Sequence, residues 1–186
     1  MYNRPMQPAV FLDRDGVIIE NREDYVRAWS DVAIYPQALR ALARLQSKPY
    51  KIVIVTNQSV IGRGIITPSE AEAINQRLVK EIVRAGGRVD GLFVCPHAPQ
   101  ENCACRKPKP GLFIQAARRL DIDLSQSILI GDSLSDLSAG QAAGVRQTAL
   151  VLTGHGAVQS RSPEAALLRP FLTFDTLEDA LRELVP

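Results

Sequence analysis

The sequence predicts an α/β fold, a doubly wound three-layer sandwich with a mainly parallel central sheet. Two observations carry the prediction. Short apolar runs of strand length alternate with longer stretches of helical period. Polar pairs follow these runs: Asp13/Asp15, Thr56/Asn57, Arg106/Lys107 and Asp132/Asp136. In parallel sheets ligands sit beyond the carboxyl ends of the strands, so the four pairs are expected to share one site. No insertion is long enough for a separate cap domain, and residues 1–186 are expected to form a single domain.

The elements follow in order. Residues 1–8, with Met1, Arg4, Pro5 and Pro8, read as a loose lead-in. Val10, Phe11 and Leu12 form a buried strand ending in Asp13-Arg14-Asp15-Gly16. Residues 19–35 show no clean period but carry Tyr25, Trp29 and Tyr35, and are expected to fold over the mouth of a site. Pro36 opens a helix whose buried face holds Ala38, Leu39, Leu42 and Leu45. The run 51–55 is a second strand, followed by a loop with Gly62 and Gly64. Thr67-Pro68-Ser69-Glu70 starts a helix that stops at Gly86-Gly87. Residues 91–94 make a third strand. A helix after Gly111 turns Leu112, Phe113, Ala116, Ala117 and Leu120 inward. Residues 127–130 and 148–152 are the fourth and fifth strands, separated by a small-residue helix closed by Gly144. Phe171, Leu172 and Phe174 are expected to pack the sheet edge, and 175–184 is a last helix capped by Asp175.

Composition narrows the function classes. A net charge of +2 argues for neither nucleic acid nor a membrane surface. No apolar run is long enough to span a bilayer, and no signal-peptide pattern opens the chain, so a cytoplasmic location is expected. Three cysteines, all in one short segment, do not form a disulfide framework.

The polar pairs together supply acids, a hydroxyl, an amide and a lysine. Asp13 and Asp15 lie two apart, on one face if the chain stays extended, and suit a divalent cation. Thr56 can donate to a phosphoryl oxygen and Lys107 can neutralise charge there. Phosphoryl transfer needs that positioning and electrostatic support. An aspartate can attack phosphorus, and a second acid can protonate the leaving oxygen and then take a proton from water.

With Asp13-Arg14-Asp15-Gly16, Thr56-Asn57, Lys107-Pro108 and Gly131-Asp132 with Asp136, the chain resembles the haloacid dehalogenase superfamily of phosphotransferases. The four segments are present in order and span most of the chain. The resemblance implies Asp13 as nucleophile, Asp15 as general acid/base, and Thr56 and Lys107 as phosphoryl clamps. It implies Mg²⁺ held by Asp13, the backbone carbonyl of Asp15, and Asp132. Asp136 then orients Lys107 or a metal-bound water, or is simply an acid in a helix first turn.

Cys95-Pro96-His97 with Cys103-Ala104-Cys105 gives four soft ligands in a loop with little apolar content. The set suits a tetrahedral structural zinc; the alternative is free thiols beside a surface histidine. Within the superfamily, the chain is similar to two zinc-looped groups, the heptose 1,7-bisphosphate 7-phosphatases and the histidinol-phosphate phosphatases. Thr56-Asn57-Gln58-Ser59, Gly62-Arg63-Gly64, Asp24-Tyr25-Val26 and Leu152-Thr153-Gly154 look more like the heptose group. That likeness implies a monomer acting on a sugar bisphosphate in lipopolysaccharide precursor synthesis. Expected substrate contacts are Arg14, Asp24, Tyr25, Asn57, Gln58 and Ser59. Arg106 could pair with the second phosphate or with sugar hydroxyls; Arg63 is a second candidate or a solvated loop residue. Two departures stand out. The loop between His97 and Cys103 is short, as in the histidinol group, and Ser133 replaces a lysine found in some heptose enzymes. His155 is given no firm role. The other readings left open are another small phosphoester phosphatase and a zinc-stabilised binding module, the latter opposed by the near-neutral charge.

Overall fold

In a computed structural model, which describes residues 6–168 and 170–185, six strands form one parallel sheet. They are β1 (Ala9–Leu12), β2 (Lys51–Asn57), β3 (Gly91–Cys95), β4 (Ile128–Gly131), β5 (Gln147–Val151) and β6 (Leu172–Phe174). The helices are α1 (Pro36–Arg44), α2 (Ser59–Gly62), α3 (Pro68–Arg84), α4 (Gly111–Leu120), α5 (Leu134–Ala143), α6 (Gly156–Gln159) and α7 (Leu177–Leu184). The strand order is β3-β2-β1-β4-β5-β6. The chain steps outward from β1 to β3, then returns to the other side of β1 with β4, so the switch point lies between β1 and β4.

Strand alternation divides the core into two layers. Val10, Leu12, Ile52, Ile54, Ile128 and Ile130 face one layer with α1, α3 and α7. Phe11, Val53, Val55 and Leu129 face the other with α4 and α5. The register stacks Val10 beside Ile52 and Ile128, and Leu12 beside Ile54 and Ile130. Phe11 is fully buried, with its ring centroid 5.0 Å from that of Phe113 on α4. Among the described residues no helix is long and apolar enough to cross a membrane.

Local signals place the helix ends. At α3, Thr67 accepts from Glu70 N–H while the Glu70 carboxylate accepts from Thr67 N–H. α5 starts the same way, with Ser133 and Asp136 in the paired roles. Several expectations need correction. The residues after Gln58 form the short helix α2 rather than a loop. β2 runs to Asn57 because Thr56 and Asn57 continue pairing, with Val94 and Cys95. The last helix is capped by Thr176, not Asp175, because the Thr176 hydroxyl accepts from Asp179 N–H at 3.2 Å. Leu172 and Phe174 do not merely pack the sheet edge: they form β6, with Leu172 exposed and Phe171 buried before it. In the lead-in, residues 1–5 lie outside the described residues, and Gln7 is tied to Asp121 and Asp123 by backbone hydrogen bonds.

The two kinds of anchor differ in magnitude. Phe11→Ala leaves a cavity in a closed layer and is expected to cost about 3–5 kcal/mol. Thr67→Ala removes an exposed cap and is expected to cost about 1 kcal/mol. Equilibrium urea unfolding of both variants checks the ranking.

Candidate active site

The carboxyl ends of the central strands open into a cavity of about 360 Å³. β1 delivers Asp13, Arg14 and Asp15; β2 delivers Thr56 and Asn57, with Gln58 and Ser59 beyond; β4 delivers Asp132; the segment before α4 delivers Arg106 and Lys107. Gly16 makes the turn after Asp15. Its φ is +79°, and a Cβ there would lie 2.0 Å from Asp132 Oδ2, so a side chain is excluded twice over.

Lys107 sits at the centre, 4% exposed. Its ammonium reaches Asp13 Oδ1 at 2.7 Å, Asp136 Oδ1 at 2.6 Å and the Val55 carbonyl at 2.9 Å. Burial opposes its charge, but Asp13 and then Asp136 outweigh it and hold the lysine above its ordinary pKa. Burial pushes Asp13 well above the usual carboxylate range; Lys107 opposes this, while Asp136, Asp132 and Asp15 add to it. Asp136 makes both contacts that its sequence position suggests. Its Oδ1 meets Lys107, and its Oδ2 accepts from Ser133 Oγ at 2.6 Å and Ser133 N–H at 3.1 Å at the start of α5.

Asp13, Asp132 and Asp136 each bring an oxygen into one cluster within 4.8 Å. Asp136 has both oxygens engaged. Asp132 Oδ2 accepts from Asn21 Nδ2 at 2.7 Å and His155 N–H at 2.9 Å, while Asp13 Oδ1 is held by Lys107. The fit for an oxygen-seeking divalent cation is therefore best at the remaining oxygens of Asp13 and Asp132. Burial, and then Asp136, raise Asp132 to about 6, against the opposing His155 and Asn21 bonds.

The other expected contacts divide. Asp15, Tyr25, Asn57, Gln58, Ser59 and Arg106 line the cavity. Tyr25 holds a left-handed backbone, φ 65°, unusual for a bulky residue. Asn57 is turned towards the protein: its side chain exchanges two 3.1 Å hydrogen bonds with the Lys107 backbone. Arg14 lines the cavity, but its guanidinium is engaged with Asp15 and Asn75. Arg63 and Asp24 do not line it. Arg63 is exposed beyond α2, and Asp24 lies in a neighbouring depression beside Arg27 and Asp31. Sequence reading missed Asn21, Arg22 and Asn75. A lone Asn or Arg in an aperiodic loop gives no signal, and Asn75 is one polar residue in an amphipathic helix. A larger apolar groove, about 660 Å³ between α3 and β3, holds none of Asp13, Asp15, Asp132 and Asp136.

The Cys/His segment gathers as expected. Cys95, Cys103 and Cys105 sulfurs stand 3.2–3.5 Å apart, with His97 Nδ1 at 3.3 Å from Cys105 and 3.6 Å from Cys95. Bond lengths of about 2.0–2.3 Å at tetrahedral zinc give edges of roughly 3.5 Å, so the donor set and its size fit that ion. Burial, then Cys95 and Cys103, push Cys105 up to about 12. Arg106 Nη1 donates to the His97 carbonyl at 3.3 Å, tying the loop to the cavity wall.

The chain is similar to known proteins over most of its length. Residues 6–141 match the family model for haloacid dehalogenase-like hydrolases, and residues 104–180 match one described as HAD-hydrolase-like. A D-glycero-beta-D-manno-heptose-1,7-bisphosphate 7-phosphatase of Bordetella bronchiseptica is 40% identical over 147 residues, 79% of this chain and 82% of that protein. One of Pseudomonas putida is 37% identical over 176 residues, 95% and 98% of the two chains. The crystal structure of the B. bronchiseptica D,D-heptose 1,7-bisphosphate phosphatase, complexed with magnesium and phosphate, matches with TM-score 0.87 and 34% identity. That match covers 96% of this chain and 98% of the other.

The raised Asp132 carboxyl has a signed consequence. Without a cation it favours folding below its ordinary pKa, and that contribution, about 3 kcal/mol, is lost as pH rises through about 6. A bound cation needs the ionised form. The rise in Tm produced by Mg²⁺ is therefore expected to be larger at about pH 7.5 than at about pH 5. Thermal unfolding with and without Mg²⁺ at both values checks it; an equal shift would contradict the assignment.

Proposed function

The chain belongs to the haloacid dehalogenase-like hydrolases, and from that premise we propose that it is a Mg²⁺-dependent phosphatase acting on heptose 1,7-bisphosphate. It removes the 7-phosphate through an aspartyl-phosphate on Asp13. The observation that carries the reading is Thr56. Its side chain is fully buried in the cavity wall, and its hydroxyl has no partner among the described residues. An unmet buried hydroxyl costs about 1–3 kcal/mol, and a phosphoryl oxygen beside Asp13 would meet it. The relatives named above, one of them in complex with magnesium and phosphate, support the same chemistry and substrate.

The residues divide the work as follows. Asp13 attacks phosphorus, the ester P–O bond breaks, and the Asp15 carboxyl gives its proton to the departing sugar oxygen. Water then attacks phosphorus, Asp15 takes a proton from it, and the Asp13–phosphorus bond breaks to release phosphate. Lys107, kept charged by Asp13 and Asp136, and Thr56 hold the phosphoryl oxygens. Asp13, the Asp15 carbonyl and Asp132 would hold Mg²⁺, which would supply charge neutralisation at the phosphoryl group. Arg106 is the candidate for the second phosphate. Zinc on Cys95, His97, Cys103 and Cys105 has a structural role, since four protein ligands leave no open position.

Phosphate release with Mg²⁺ is expected to be strong from heptose 1,7-bisphosphate, one phosphate per molecule, and weak from histidinol phosphate. The reverse preference would overturn the substrate. Asp13→Asn is expected to lower turnover by about a thousandfold or more in a protein that still unfolds cooperatively, because the nucleophile itself is lost. Cys105→Ser is expected to lower both zinc content and Tm, read by metal analysis and thermal unfolding.

A further inference from the structure

Asn75 is a polar residue buried within α3, 5% exposed, and no step above uses it. Its Oδ1 accepts from Arg14 Nη1 at 2.8 Å and from Gln58 Nε2 at 3.0 Å. Both neighbours can only donate through these atoms, so the amide oxygen must face them. Arg14 in turn grips Asp15 with two bonds, Nε to Oδ2 at 2.9 Å and Nη2 to Oδ1 at 3.2 Å. A planar guanidinium held on both sides cannot rotate, and its fork fixes the plane of the carboxylate. The exposures fit the direction of control: the Arg14 side chain is 6% exposed, while Asp15 is 27% exposed and stands in the cavity wall.

We propose that Asn75 is a positioning residue which, through Arg14, aims the Asp15 carboxyl at the leaving oxygen. The inference rests on the phosphatase reading above. A general acid must come within hydrogen-bond reach of the oxygen it protonates. Remove the Asn75 acceptor and a buried Arg14 N–H is left unmet. The guanidinium then reorients to find a partner, and both bonds to Asp15 move with it. Asp13, Lys107 and Thr56 make no hydrogen bond to Asn75, so attack on phosphorus is spared.

The test separates aim from fold. Asn75→Leu keeps the size and removes the acceptor. Its kcat/KM is measured on heptose 1,7-bisphosphate, whose leaving alkoxide needs a proton, and on p-nitrophenyl phosphate, whose phenolate leaves without one. This ratio reports only the steps through the first P–O cleavage. The sugar ester is expected to lose roughly ten- to a hundredfold, and the aryl ester less than about threefold. Asn75→Asp, which restores an acceptor, is expected to recover most of the sugar-ester rate. Equal losses on both esters, or no loss on either, would overturn the proposal. Should Asn75→Leu fail to fold, Asn75→Ala carries the same expectation. A wild-type protein that releases phosphate from neither ester would overturn the phosphatase reading and this inference with it. An active wild type without the selective loss overturns this inference alone.

Discussion

The site depends on one buried ammonium. Lys107 is shared by Asp13, Asp136 and the Val55 carbonyl, which come from β1, α5 and β2. A buried charge is costly unless it is paired and fully hydrogen-bonded, and this one has three acceptors for three protons. Meeting that demand brings four segments, far apart in sequence, to one point. The sheet order makes this possible. β1 lies between β2 and β4, so the residues that leave their carboxyl ends surround the same space.

Oxygens in the cluster are divided between holding the protein and facing a ligand. Asp136 is wholly committed, to Lys107 and to the cap of α5. Asp13 and Asp132 each have one oxygen engaged by protein donors. Burial, and then the excess of acid around Lys107, raise both Asp13 and Asp132 from the ordinary carboxylate range. A divalent cation would relieve that excess.

Around this centre the pocket is shaped by loops. Asn21, Arg22 and Tyr25 come from the connection after β1, and Arg106 from the end of the Cys/His loop. That connection is held against α3, where Arg77 stacks over the Trp29 ring at 4.5 Å. The Cys/His loop has little apolar content; its three sulfurs and His97 gather in one cluster, and Arg106 bonds to the His97 carbonyl.

The sequence by itself determined the alternation of strands and helices, the end of the sheet where the acidic cavity lies, and the members of both clusters. These are local facts: apolar runs, turn residues and short spacings such as Asp13/Asp15 or Cys103/Cys105. It failed where packing or pairing decides. β6 has too weak a pattern to be read and exists because β5 offers an edge. The last helix begins at Thr176 because of a side-chain bond, one residue from the expected cap. Only the tertiary structure turned Asn57 and Arg14 from the substrate towards the protein, set Arg63 and Asp24 outside the cavity, and brought in Asn21 and Asn75. A side chain's direction depends on partners tens of residues away, and no spacing along the chain encodes them.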